Sequence, residues 1–171
     1  MELLHLYISP GHNFRGHHGG PPGEHPVVEM PEVRCVAGRG IEGDRYYNEK
    51  PEFKGQITLF ADEVYRTLCQ QFGQSAKPPS VFRRNVITRG VDLNSLVGRE
   101  FEIQGVRFFG AEACKPCYWM DQAFGPGAEA ALQNCGGLRA RILSDGVLRV
   151  TTRESAATEP PRLPGKAPVK S

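Results

Sequence analysis

The 171-residue sequence has no apolar run approaching the ~20 residues that cross a bilayer. Met1 to Ile8 has neither a basic n-region nor a long apolar stretch, so it reads as a first strand and not as a secretory signal. A cytoplasmic location is the expectation. An excess of one charge is also lacking: 21 basic residues face 19 acidic ones, for a formal charge of +2. Arg153, Arg162, Lys166 and Lys170 outnumber Glu154 and Glu159, which places that excess in residues 151–171. A balanced chain gives no reason to expect nucleic acid or an acidic membrane as partner. The phosphate-cradling patterns GxxxxGK[ST] and GxGxxG are absent, and nucleotide-binding folds lose most of their support. No internal repeat, Ser-His-Asp order or paired-carboxylate motif is recognisable. An even set of cysteines is missing too. Five cysteines without a signal argue against a disulfide framework and for a reducing compartment. Finally, no histidine follows His25. A structural zinc site on Cys114, Cys117 and Cys135 would need a fourth ligand from the early His-rich loop.

What is present is ordinary globular composition. Hydrophobic residues make up 39% and charged residues 23%, enough for one cored domain over residues 1–150. Pro160, Pro161, Pro164 and Pro168 predict a disordered tail over 151–171. Short strands are expected at 3–8, 27–29, 33–36, 56–60, 84–88, 99–103, 106–111, 139–143 and 147–150. Gln104-Gly105 and Ser144-Asp145-Gly146 read as hairpin turns. Val64, Leu68 and Phe72 recur at helical spacing, which predicts one clear helix over residues 62–72 that Gly73 ends. Residues 9–26, rich in Gly, His and Pro, should form a long surface loop. Many short strands with few helices predict a mainly antiparallel β-barrel and not a βαβ fold.

Three motifs could carry chemistry. In Cys114-Lys115-Pro116-Cys117 the two thiols could share a metal, form a redox pair or present one reactive sulfur, with a positive charge between them. The plainer reading is two small buried residues. In Gly40-Ile41-Glu42-Gly43-Asp44-Arg45 a tight turn exposes an acid–base pair, and Arg45 could fork onto a phosphate. A solvated Asp–Arg turn is the bland alternative. In Phe82-Arg83-Arg84-Asn85 an arginine pair is a poor start for a buried strand unless something anionic lies near, or unless the charges protect a sheet edge. His12, His17, His18 and His25 share one loop and could ligate a metal, although a flexible polar loop explains them as well.

The order of these motifs resembles the MOSC domain, named for the C-terminal part of molybdenum-cofactor sulfurases. The resemblance runs from Leu3 to Val150. It adds Gly55-Gln56-Ile57-Thr58-Leu59, Gly90-Val91-Asp92-Leu93, Leu96-Val97-Gly98, Gly136-Gly137-Leu138-Arg139-Ala140 and Asp145-Gly146 to the three above. It implies a β-barrel holding a molybdenum–molybdopterin cofactor, with Cys117 as metal ligand and catalytic residue. Asp44, Arg45, Arg83 and Asn85 match the cofactor-binding positions of the related amidoxime reductases. The desulfurase half of full sulfurases and the extra barrel domain of those reductases have no counterpart here, and Val150-Thr151-Thr152 replaces the usual Gly-Asp ending. The resemblance further implies a reductase of N-hydroxylated compounds served by a separate electron-donor protein. Two alternatives are a sulfur carrier or transferase that takes sulfur from a donor onto a Cys117 persulfide, and a cofactor-binding module without turnover.

The tail reading has a direct test. Deleting residues 151–171 should leave the calorimetric melting temperature almost unchanged, whereas a large drop would show that the tail docks on the domain.

Overall fold

The structure is a computed structural model and describes residues 1–151. The tail expected over 151–171 therefore lies outside the described residues, apart from Thr151. That residue is tied to the first strand: its N–H donates to Leu3 O at 2.7 Å, and its Oγ1 accepts from Leu3 N at 2.9 Å.

Among the described residues ten strands form, β1 (Glu2–Ile8), β2 (Val28–Met30), β3 (Glu32–Val36), β4 (Gly40–Ile41), β5 (Ile57–Ala61), β6 (Val86–Arg89), β7 (Glu100–Ile103), β8 (Val106–Ala113), β9 (Leu138–Ile142) and β10 (Gly146–Arg149). Three helices accompany them, α1 (Asp62–Phe72), α2 (Trp119–Ala123) and α3 (Ala128–Ala131). The central strands are buried on both faces, and alternate residues enter two different cores. Ile57 and Leu59 of β5 enter one core with Leu3, Leu6 and Val86, while Phe60 faces the other with Tyr7 and Ile87. Leu3 and Leu6 share a side despite odd spacing because β1 shifts register against β6 between Leu3 and His5. The second core is aromatic. The Phe60, Phe82 and Phe124 rings lie 4.8 and 5.0 Å apart under α1 and α2. Truncating such a ring to alanine typically costs ~3–5 kcal/mol.

The expected β-barrel is corrected in its closure, while the expected mainly antiparallel pairing is found. Seven strands form one sheet in the order β2-β1-β6-β5-β9-β8-β7, and β10-β3-β4 form a second. Among the described residues no ladder joins β2 to β7, so the sheet is curled but open. Val33, Cys35, Ile41 and Leu148 of the small sheet pack into the first core instead of closing it by hydrogen bonds. The sheet is also mixed. Strands β5 and β6 run parallel, because α1 carries the chain back in a βαβ unit that hydrophobic alternation alone does not reveal.

One expected hairpin forms and one does not. Gln104 and Gly105 both adopt positive φ, 50° and 82°, as a two-residue turn between twisted strands requires, and β7 pairs with β8. Asp145 and Gly146 are not among the positive-φ residues. The Asp145 carboxylate instead accepts from Ala37 N at 2.8 Å, and Ser144 Oγ accepts from Arg107 N at 2.9 Å. The chain thereby leaves β9 and pairs β10 with β3. A Cβ on Gly146 would lie 2.5 Å from Val106 Cγ2, so close packing, not turn geometry, selects glycine there.

Asn85 splices three strands just before β6. Its Oδ1 accepts from Thr58 N at 3.0 Å and Thr58 Oγ1 at 2.9 Å, and its Nδ2 donates to Tyr7 O at 3.2 Å. All of these groups are buried. Each buried polar group left without a partner costs ~1–3 kcal/mol. Asn85→Ala should therefore lower stability by about 2–4 kcal/mol. Urea unfolding monitored by circular dichroism measures this, and a loss under about 1 kcal/mol would contradict the splice.

Candidate functional site

A cavity of about 460 Å³ opens where the loop 9–26, the turn after β4, the start of β6 and the segment after β8 converge. Six cationic side chains line it: Arg15, Arg45, Arg83, Arg84, Lys115 and Arg139. Among the described residues no Asp or Glu does so. A chain nearly neutral as a whole thus concentrates positive charge in one concave place.

Local structure fixes the inner arginines. Arg83 ends the 3-10 turn Pro79–Phe82 in the left-handed region at φ 54°, which bulky residues rarely adopt. Its side chain is thereby directed beneath the early loop, where Nη2 donates to Ser9 Oγ and Gly11 O, both at 2.8 Å. Nη1 reaches His25 O at 3.4 Å, so one guanidinium ties both ends of the loop. Arg45 is 38 residues away in sequence, yet its Nη2 donates to Arg83 O at 3.0 Å while Nη1 pairs with Asp44 at 3.2 Å. Arg84 donates to Phe82 O at 2.9 Å and Gly136 O at 3.2 Å. Burial first, and the neighbouring Arg45 charge second, pull the Arg83 guanidinium down to about 10. His12 is likewise held below the ordinary imidazole value by burial and then by Arg45 and Arg15. Burial dominates both shifts, and the neighbouring arginine charges add to it in the same direction.

The two thiols of the Cys-x-x-Cys motif differ. Cys114 continues the β8–β9 ladder through its N–H to Gly137 O at 2.8 Å and is 5% exposed. Cys117 is exposed at the cavity, and its carbonyl accepts from Met120 N at 2.8 Å as α2 begins. Two glycines make room for this segment. A Cβ on Gly136 would lie 2.4 Å from Cys114 O, and one on Gly137 would lie 2.2 Å from Leu59 O. Neither thiol is in a disulfide. Cys135 hydrogen-bonds Ala131 O at 3.4 Å and does not line this cavity. Among the described residues no group of three His, Cys, Asp or Glu side chains is gathered to hold a metal, so the zinc set weighed from the sequence is not assembled.

The early loop forms the facing wall. Phe14 stacks on Trp119 at 5.0 Å, and His18 meets Tyr118 edge-on at 5.3 Å. Gly19 N reaches Tyr118 Oη at 3.4 Å. Of the residues expected at the site, Cys117, Arg45 and Arg83 line the cavity. Asp44 and Asn85 lie behind it, with Asp44 accepting from Ser9 N at 3.1 Å and Tyr46 N at 3.2 Å. Arg15, Arg84, Lys115 and Arg139 were not singled out as ligand-binding, although all but Arg15 sit inside quoted motifs. Arg15 carries no local signal, because only the folding back of its loop brings it here.

Among the described residues no helix is long and apolar enough to cross a membrane. No curated protein matches the sequence. Solved structures share the fold. The YUAD protein from Bacillus subtilis aligns at a TM-score of 0.64 and 17% identity, covering 87% of this chain and 91% of that one. YiiM from Geobacillus stearothermophilus aligns at 0.61 and 13% identity over 91% and 77% of the two chains. YiiM from Escherichia coli aligns at 0.56 and 17% identity over 86% and 70%. The family model described as MOSC domain matches residues 15–153, nearly the whole described fold, and the chain belongs to the MOSC domain family.

Proposed function

We propose that this MOSC protein binds a molybdenum–molybdopterin cofactor and reduces N-hydroxylated compounds, with the metal on Cys117. The observation that carries this reading is the cavity itself, which joins one exposed thiol to the anchored Arg45, Arg83 and Arg84, with no carboxylate among the described residues on its wall. The donor set fits the group. A thiolate is a strong ligand for a soft, polarizable metal, and a pterin phosphate needs arginine forks. Arg45 and Arg83 are the forks proposed for the phosphate. Each spends some of its five N–H donors on the protein and keeps others for a ligand. Asp44 and Asn85 are proposed to act from behind, Asp44 by orienting Arg45 and Asn85 by fixing the strand start that carries Arg83.

Bound there, the cofactor would supply two-electron redox chemistry at an open metal position. Converting R–NH–OH to R–NH2 breaks the N–O bond, consumes two electrons and two protons and releases water. A separate electron-donor protein supplies the electrons. The chain's own residues anchor, exclude water and position. The Phe14–Trp119 and His18–Tyr118 contacts wall the cavity, and the anchored arginines need no reorganisation when the anion arrives.

Cofactor content of purified variants tests the assignment. Cys117→Ser should lose molybdenum and reductase activity together, and Cys114→Ser should keep both at least in part. Arg45→Ala and Arg83→Ala should each lower pterin content, since a charge-assisted hydrogen bond contributes ~1.5–3 kcal/mol. A circular dichroism melt of each variant separates lost ligation from lost folding. Unchanged pterin in both arginine variants would reject the phosphate assignment. Metal loss in Cys114→Ser alone would move the ligand to the other thiol. Sulfane sulfur on Cys117 without pterin would point to a sulfur carrier, and bound pterin without turnover to a binding module.

A further inference from the structure

The cations of the cavity fall into two sets. The inner set, Arg45, Arg83 and Arg84, is anchored by backbone carbonyls, and the Arg83 residue is only 7% exposed. The outer set, Arg15, Lys115 and Arg139, is more open, with side-chain exposures of 57% for Arg15 and 42% for Arg139. Its partners are the carboxylates of Glu49 for Arg15 and Glu112 for Arg139. Ion pairs this exposed are worth little and exchange readily with a competing anion. Lys115 has no carboxylate within ion-pair distance among the described residues, and one residue separates it from Cys117. One phosphate is served by the inner arginines, which leaves the outer cations without a role in holding a cofactor.

We infer that the outer set selects the substrate and that the substrate carries its own anionic group, a phosphate or a carboxylate, on a ring that Tyr118 and His18 can face. This rests on the proposed function both for the reaction and for the assignment of the inner arginines to the cofactor. Cations at a concave, low-dielectric mouth raise the local concentration of anions, and salt weakens that effect. Arg15 belongs to the early loop and Lys115 to the cysteine segment, so an anion between them would also hold the loop against the site.

The single tryptophan, Trp119, lines this cavity and reports on it directly. The test titrates phenyl phosphate and phenol against Trp119 fluorescence in the purified full chain. It uses the wild type, the double variant Lys115→Gln with Arg15→Gln, and Arg83→Ala, with molybdenum and pterin assayed in every sample. Wild type should bind phenyl phosphate at least about tenfold more tightly than phenol, with the preference falling as salt rises. In the double variant the preference should shrink below about threefold at unchanged pterin content. Equal affinity of wild type for the two probes overturns the inference. So does a preference that survives in the double variant and disappears only in Arg83→Ala, because the phosphate would then occupy the inner set. A preference that follows Lys115 and Arg15 in protein lacking pterin supports the anionic ligand while rejecting the cofactor reading, so the two claims fail separately.

Discussion

The site depends on one buried cation. Arg83 sits in a backbone conformation that side chains seldom adopt, and from there its guanidinium reaches Ser9, Gly11 and His25 while its carbonyl receives Arg45. Burying a charge is unfavourable unless it is hydrogen-bonded and compensated. Two carbonyls and the Ser9 hydroxyl accept its hydrogen bonds, but the strongest charge acting on it is a second arginine. Asp44 offsets part of that repulsion and is itself committed to Ser9 and Tyr46. An arrangement that gathers cations on a wall without a carboxylate among the described residues favours an anion, and this constraint shapes the functional reading.

Backbone contacts position the cysteine segment at the cavity that those arginines line. Gly136 and Gly137 let three main-chain segments approach more closely than any side chain would allow. The ladder from Cys114 to Gly137 then ends at the cavity edge, and Pro116 turns the chain so that Cys117 emerges exposed before α2 begins. The two cysteines three residues apart therefore play unequal parts. One belongs to the sheet and the other lies exposed at the cavity. The aromatic wall follows from the same turn, because Tyr118 and Trp119 come next and give the early loop something to pack on.

Much of this was legible in the sequence. Helix α1 was readable from the spacing of Val64, Leu68 and Phe72 and from Gly73, which takes the left-handed cap at φ 61°. Most strands followed from short runs of β-formers between turn residues. Pairing was less legible. The sequence signal at Ser144-Asp145-Gly146 is that of a hairpin, yet side-chain hydrogen bonds to Ala37 and Arg107, distant in sequence, redirect the chain to the second sheet. The parallel β5–β6 pair and the open edge are likewise properties of long-range packing. At the site, motif order singled out Cys117, Asp44, Arg45, Arg83 and Asn85, of which Cys117, Arg45 and Arg83 line the cavity. Asp44 and Asn85 carry equally strong motif signals, and their side chains bond buried groups and Arg45 behind the cavity wall, which no local pattern distinguishes from direct ligand contact. Arg15 was invisible because its loop has no regular structure from which to infer direction.

The central claim is that the thiol of Cys117 and the arginines around it together hold a molybdenum–pterin cofactor. Elemental and pterin analysis of the native protein, with the mass of the Cys117 peptide measured on the same preparation, tests it most directly. The account predicts molybdenum and pterin in near-equal amounts bound to the protein, and a Cys117 peptide without added sulfur. Protein that carries no pterin but does carry a sulfane sulfur on Cys117 would contradict it.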